Sequence, residues 1–415
     1  MRPKSVCVFH PGTQHAYQTA LAFQKTNLLA LFATSIYYKP NKLSARLLGV
    51  VPFGDRLINT YKRRHHPDID PDLVLTIGWW EWIETLSRRM EWQGIAEWAN
   101  FRGNSSFASE IVGAIQNRGA EVAWGYNTSS LEAFRRLRQL GVKCYLDQTI
   151  GHPLAWNQIY CREAEIVGVR FDPLARQYSQ REIDIVNEEN HLADRVLCGS
   201  RFAAATMLDG GTDERKLAVI NYGVDTELFM PSERRSFEGS LNLLFVGSFG
   251  LRKGAYYILQ ALRQLRTLSK LTLKIVGHIS VQQEFLSGLS DVITVVPHIS
   301  RLSIHKAYCG SDVLILPSLF EGSSLVTYEA LASGLPVITT KSAGSIVRNR
   351  IDGLIVNEAN VDTLVEAIVI LYNDIDLRRE MAANARQRAL KFSWEHYSVS
   401  VNEVLNDSNL SNNPF

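Results

Sequence analysis

The chain of 415 residues lacks several features that would have narrowed its function quickly. No apolar run approaches the ~18 residues a membrane span needs. There is no G-x-G-x-x-G or G-x-x-x-x-G-K-[ST] loop, so dinucleotide redox enzymes and P-loop NTPases lose ground. The five cysteines include no C-x-x-C pair; Cys7, Cys144, Cys161, Cys198 and Cys309 read as small hydrophobes in a reducing compartment. Charge of one sign is also missing. A net charge of +2 gives no basic domain of the kind nucleic acid requires. The five-residue apolar run before His10 is too short for a signal-peptide core, and the expectation is a cytoplasmic protein. No internal repeat or low-complexity segment stands out.

What the chain does have is alternation. "SVCVF", "LVLTIGWW", "EVAWGY", "KCYLDQT" and "RVLCGS" read as strands, separated by helix-period stretches such as residues 130–141, where Leu131, Phe134, Leu137 and Leu140 recur before Gly141. Residues 223–240 have turn residues and charges without periodicity and read as a linker. The alternation then restarts through "LLFVG", "LTLKIVG", "VITVVP", "VLILPS", "PVITT" and "GLIV", and the chain ends in helices. The fold class is therefore α/β with two doubly wound parallel sheets: residues 1–222, then a linker, then 241–391. Such sheets bind ligands beyond the carboxyl ends of their strands, in the cleft between the domains.

"PSLFEGSSLVTYEALASGLPVITT" (317–340) is the most informative stretch. A buried strand leads to a loop, Ser323 or Ser324 caps a helix, and Gly334 with Pro336 ends it. A helix start beyond a strand end presents free N–H groups and partial positive charge, which suit phosphate. Gly322 lets backbone approach a ligand closely. Glu321 can accept hydrogen bonds from hydroxyls, and Glu329, in the helix's second turn, from a diol such as ribose. Phosphate, diol and hydroxyls together describe a nucleotide-sugar; the alternative is a capped helix with two surface glutamates. In "LLFVGSFGLRKGAYYILQAL", Gly247 opens a loop carrying Arg252 and Lys253, two cations able to neutralise a diphosphate; they also fit a solvated loop.

"FEGSSLVTYEALASGLPVI" resembles the E-x7-E segment of retaining GT-B glycosyltransferases of family 4, and "VGSFGLRKGAYYILQAL" is similar to that family's donor-phosphate loop. "DRVLCGSRFAAATML" and "LAVINYGVDTELFMP" resemble its end-of-first-domain and linker pattern, and "FSWEHYSVSVNEVL" its final helix, here 392–406, which crosses back to the first domain. The resemblance is specific over about 190–360. It implies a GT-B fold: two Rossmann-like domains facing a central cleft, an acceptor-side first domain and a nucleotide-sugar-binding second one. It implies that Glu321 and the amides of Gly322, Ser323 and Ser324 hold the donor sugar. Leu325 and Val326 amides would face the phosphates, Glu329 would bind ribose, and Lys253 would contact the diphosphate beside Gly247. The chain departs at Ser248, where the family usually has Arg, leaving Arg252 as the replacement cation. It departs again at Ser345, where a Glu of a "GGxxE" element is common.

In the first domain, "FHPGTQHAYQ" is similar to the family's acceptor-side loop and places Gly12 and Thr13 across the cleft from the phosphates, with His15 an acceptor contact or a surface histidine. "YLDQTIGHPLAW" sets Asp147 at a strand end and His152 beyond it, where the family often has a histidine near the reacting sugar. "HHPDIDPD" holds D-x-D triplets of a metal-binding type, but its prolines read as an extended loop. Trp79, Trp80 and Trp82 could stack on sugars or fill a core. Residues 39–64, with Lys39, Lys42, Arg46, Arg56, Lys62, Arg63 and Arg64 against Asp55, read as a solvated basic face or a contact with an anionic membrane.

The expectation is a retaining glycosyltransferase that needs no metal and no cofactor. It would take a nucleoside-diphosphate sugar and a glycan or lipid-linked acceptor in polysaccharide or glycolipid assembly. A GT-B epimerase or phosphorylase, or an inactive glycan- or nucleotide-binding protein, is the alternative.

Overall fold

The structure is a computed structural model describing residues 5–12, 15–39, 64–77, 87, 92–232, 240–297 and 301–406. Thr13, the three tryptophans of 79–82 and most of the basic segment 39–64 lie outside the described residues.

The first sheet has seven parallel strands in the order β3-β2-β1-β4-β5-β6-β7. They are β1 (Val6–Phe9), β2 (Leu29–Thr34), β3 (Val74–Thr76), β4 (Val122–Tyr126), β5 (Lys143–Gln148), β6 (Arg195–Cys198) and β7 (Leu217–Val219). Helices α1 (Ala16–Lys25), α2 (Gln93–Arg118), α3 (Leu131–Gln139), α4 (Pro153–Val167), α5 (Gln180–Leu192) and α6 (Arg201–Asp209) connect them. Strand β7 lies in a stretch without a strand signature, and it pairs with β6 through Val196–Leu217, Leu197–Ala218 and Cys198–Val219. Where the sequence expects Gly141 to close a helix, the glycine takes a left-handed φ of 74°.

The second sheet is parallel in the order β10-β9-β8-β11-β12-β13, with β8 (Leu241–Val246), β9 (Leu271–Val276), β10 (Ile293–Val296), β11 (Val313–Leu316), β12 (Val337–Thr339) and β13 (Gly353–Ile355). Central β11 is apolar and buried at every residue, whereas edge strand β10 is half-exposed. Helices α7 (Ala255–Gln264), α8 (Arg301–Cys309) and α9 (Leu325–Ala332) link the strands; α10 (Val361–Asn373), α11 (Ile375–Ala389) and α12 (Trp394–Asn406) follow.

The two halves share packing. One apolar cluster runs from Trp124 and Tyr145 of the first sheet through Tyr222 and Val224 to Leu243 and Ile315 of the second. Helix α12 packs on α1, where the Tyr397 and Thr19 hydroxyls lie 2.8 Å apart, and the linker's Val224 amide donates to the Phe392 carbonyl at 2.9 Å. Further bonds join the halves near the strand ends. Asp172 accepts from the Leu251 amide at 2.8 Å and the Ser280 hydroxyl at 3.0 Å. The Tyr257 hydroxyl of α7 donates to Glu163 of α4, a carboxylate with no exposed surface.

Burial first, and then this carboxylate, push the Tyr257 phenol well above its usual range, so it stays a donor. Tyr257→Phe removes the donor and leaves Glu163 Oε2 without that partner. The expected cost is about 1–3 kcal/mol, read as a lower thermal midpoint; an unchanged midpoint would mean the bond does not help hold the halves together.

Candidate functional site between the strand ends

Beyond β8 the chain turns at Gly247, with φ 124°, and runs through a single 3-10 turn at Leu251–Lys253. That turn closes at Gly254, whose φ is 75° and where a Cβ would sit 2.1 Å from the Pro317 carbonyl oxygen. The β8 loop can therefore lie directly against the β11 loop, and only glycine permits this. The Leu319 amide donates to the Arg252 carbonyl at 2.9 Å, and the Arg252 guanidinium donates to the Phe320 carbonyl at 3.0 Å.

This docking sets Glu321 between two cations. One oxygen lies 2.8 Å from Arg252 Nη1 and the other 2.8 Å from Lys253 Nζ. The lysine and glutamate side chains are 13% and 12% exposed, the arginine 36%. Burial acts to raise the Glu321 pKa, but the attraction of Lys253 and then Arg252 outweighs it and holds the carboxyl below the usual glutamate range. The site therefore contains an ionised carboxylate shared by two cations, which offsets only part of their positive charge.

Helix α9 starts three residues after Gly322. Ser324 occupies the N-cap position, but its side chain caps no amide, contrary to the expected serine cap. The amides of Leu325 and Val326 have no hydrogen-bond partner among the described residues. Glu329 accepts from the Tyr308 hydroxyl of α8 at 2.8 Å and is partly exposed. Gly247, Ser248, Arg252, Lys253 and Glu321 thus belong to adjoining connections at the ends of neighbouring strands β8 and β11, and Leu325 and Val326 open the helix that follows the second of them.

Gly322 has a different neighbour from the one expected. A Cβ there would lie 1.9 Å from the Thr149 carbonyl oxygen, so its smallness admits the first domain's β5 loop rather than a ligand. The Ser200 hydroxyl donates to the Gly322 carbonyl, and Ser323 Oγ lies 3.0 Å from the Tyr328 hydroxyl.

His152 is at the start of α4 and 1% exposed. Its Nδ1 accepts from the Leu154 amide at 3.2 Å, so Nε2–H donates to Asn187 Oδ1 at 2.9 Å. Burial lowers its pKa against the opposing Asn187 bond, and the ring packs over Gly210. The ring thus faces α5 and α6 of its own domain, and among the described residues it makes no hydrogen bond to the β8 or β11 loop. His15 is not a surface histidine. It is 8% exposed, 2.9 Å from Asp147 Oδ2, and its ring centroid is 4.2 Å from that of Tyr222. Gly12 donates its amide to His10 Nδ1 at 2.9 Å. In the D-x-D stretch, Asp70 caps a short turn by accepting from the Asp72 amide at 2.9 Å.

The first domain contributes further residues to this site that no sequence motif marks. A cavity of about 260 Å³ beside Ser248, Arg252 and Lys253 is walled across the cleft by Trp156, Asp172, Arg176 and Tyr178. The only local cue was an Asp-Pro turn at 172–173, which gives no sign of a partner in the other domain.

Comparison with known proteins agrees with the fold. Residues 240–374 match the family model "Glycosyl transferases group 1". A D-inositol 3-phosphate glycosyltransferase of Paenarthrobacter aurescens is 30% identical over 204 residues, 45% of this chain and 50% of that protein. The chain spans about half the length of such curated relatives. Among solved structures, sucrose-phosphate synthase from Thermosynechococcus elongatus aligns with a TM-score of 0.68 at 18% identity, over 97% of this chain and 98% of that one. Anabaena Alr3699/HepE in complex with UDP aligns at 0.64 and 14% identity, over 97% and 99%. Both cover the two sheets and the final helices, which is a likeness of fold. Residues 240–374 are thus similar to the glycosyl transferases group 1 family, and the chain as a whole has a GT-B fold.

Proposed function

We propose that the protein is a retaining, metal-independent glycosyltransferase that moves a sugar from a nucleoside-diphosphate sugar to an acceptor hydroxyl, in polysaccharide or glycolipid assembly. The observation that carries this reading is the triad of Glu321, Lys253 and Arg252 beside the unpaired amides that open α9. A ligand anion can take over the two cations, which frees Glu321 to accept hydrogen bonds from sugar hydroxyls.

In the reaction, the bond between the anomeric carbon and the leaving phosphate oxygen breaks while the acceptor oxygen bonds on the same face. The leaving oxygen takes the acceptor's proton, so no serine or cysteine nucleophile is required. Negative charge grows on the departing diphosphate, where Lys253, Arg252 and the helix start are already oriented to receive it. Glu329 accepts from the ribose hydroxyls, a role that fits a carboxylate currently held by the Tyr308 hydroxyl. The relative that acts on D-inositol 3-phosphate and the neighbour that holds UDP support a nucleotide-sugar donor and a hydroxyl acceptor.

Lys253→Ala is expected to lower turnover by about 10²–10³ in a donor-saturated assay of the folded variant, with a lowered thermal midpoint because Glu321 loses a charge partner, and near-wild-type turnover would remove the assignment. Glu329→Ala is expected to act chiefly on the donor KM; an unchanged KM excludes the ribose role. Product should form only with an acceptor present, keep the donor's anomeric configuration by NMR, and survive chelation. Strict Mn²⁺ dependence would instead favour the D-x-D stretch.

A further inference from the structure

Beside the Ser200–Gly322 contact lies a cavity of about 710 Å³, within the usual range for small-molecule pockets. It shares no lining residue with the cavity beside Lys253. Both domains build it: Arg201 and Phe202 open α6, Asn221 follows β7, Lys341 to Val347 follow β12, and Arg388 comes from α11.

Its charge is one-sided. Arg201, Lys341 and Arg388 line it, and no aspartate or glutamate does. The nearest acids are committed elsewhere: Asp352 is buried and bonded to the Arg348 guanidinium and amide, both at 2.6 Å, and Glu358 holds the Ser342 hydroxyl at 2.9 Å. Arg388 is the best-placed cation. Its Nε donates to the Ile346 carbonyl at 3.0 Å and its plane lies over Phe392, 4.6 Å from the ring centroid, which fixes the fork. Its two Nη groups make no hydrogen bond among the described residues. Burial and then Arg348 pull its pKa below the ordinary arginine value, against an opposing pull from Asp352 and Tyr328. The amides of Ser345 and Ile346 are likewise without partners among the described residues. Phe202, Val219 and Ile355 add an apolar wall.

We infer that this interdomain cavity binds a small molecule carrying a phosphoryl group, held by the Arg388 fork with Lys341 and Arg201, its body against the apolar wall. A guanidinium fork with a second and third cation matches a phosphate monoester. The occupant touches α6 of one domain and the β12 loop of the other, so it would tie the halves together. The inference does not depend on the donor site.

Calorimetric titration of the full chain with inorganic phosphate and with glucose 6-phosphate, in the presence of saturating UDP, tests it; glucose is the control. Arg388→Ala would also free the Ile346 carbonyl, so the variants are Lys341→Ala and Arg201→Ala, exposed side chains with no partner among the described residues. Each is expected to weaken phosphoryl binding roughly tenfold while leaving UDP affinity and the thermal midpoint unchanged. Tighter binding of glucose 6-phosphate than of phosphate assigns a sugar phosphate; equal binding assigns a site that reads the phosphoryl group alone. No binding of either at millimolar concentration, or binding lost in Lys253→Ala and kept in both cavity variants, overturns the inference.

Discussion

The constraint on which the site depends is the burial of the Glu321 carboxylate. An ionised carboxylate in a largely dry environment costs several kcal/mol unless charge and hydrogen bonds surround it. Here the compensation comes from a different strand's loop, so β8 and β11 must end in register and their loops must touch. Gly254, which admits the Pro317 carbonyl, and the Leu319–Arg252 backbone bond are the means. Once these are set, Lys253 has little freedom. Its side chain is only 13% exposed, and its ammonium already has the geometry of an anion contact before any ligand arrives. Less reorganisation then remains when the ligand binds.

The same loop also meets the first domain. Gly322 accepts the Thr149 carbonyl, Ser200 bonds the Gly322 carbonyl, and Phe320 packs near Trp156 and Phe202 with ring centroids 5.8 and 6.0 Å away. The segment that carries the charge chemistry is therefore also the segment on which the domains close. Asp172 and Glu163 reinforce the contact on the β8 side, and the Thr19–Tyr397 bond on the side of α12. Donor binding that draws Glu321 away from its cations would be felt at Thr149 and Ser200, because backbone atoms adjoining Glu321 make those contacts.

Much of the fold was legible because its signals are local. Apolar runs between turn residues mark β4, β8 and β11, and a left-handed glycine marks the ends of α3 and α9, where Gly141 and Gly334 have φ of 74° and 67°. The charges of the site were legible for the same reason: Arg252, Lys253, Glu321 and Glu329 stand in two compact motifs. What escaped is long-range. His15 reads as an acceptor contact or a surface residue in "GTQHAY", yet it is buried and hydrogen-bonded to Asp147, 132 residues away. His152 follows a strand and reads as facing the cleft, yet its bond to Asn187 and its packing on Gly210 turn the ring inward. Asp172 carries no motif, and its partners come from another domain. Periodicity shows which face of an element is buried; it does not show which residue of another element lies opposite.

The replacement of the family's loop arginine by Ser248 can be argued from the same geometry. A cation directly after Gly247 would have reached the site from the start of the loop. Arg252 reaches it from the end, 2.8 Å from one oxygen of Glu321 while Lys253 takes the other. The number of cations beside the carboxylate is thus kept, and their placement changes. Arg252 is about three times as exposed as Lys253 and also bonds the Phe320 carbonyl, so its charge is better solvated and its fork is partly used. Electrostatic attraction is stronger where water is excluded. Of the two, Lys253 would therefore supply the stronger field at the proposed leaving diphosphate, while Arg252 lines the cavity opposite Trp156 and Tyr178 across the cleft.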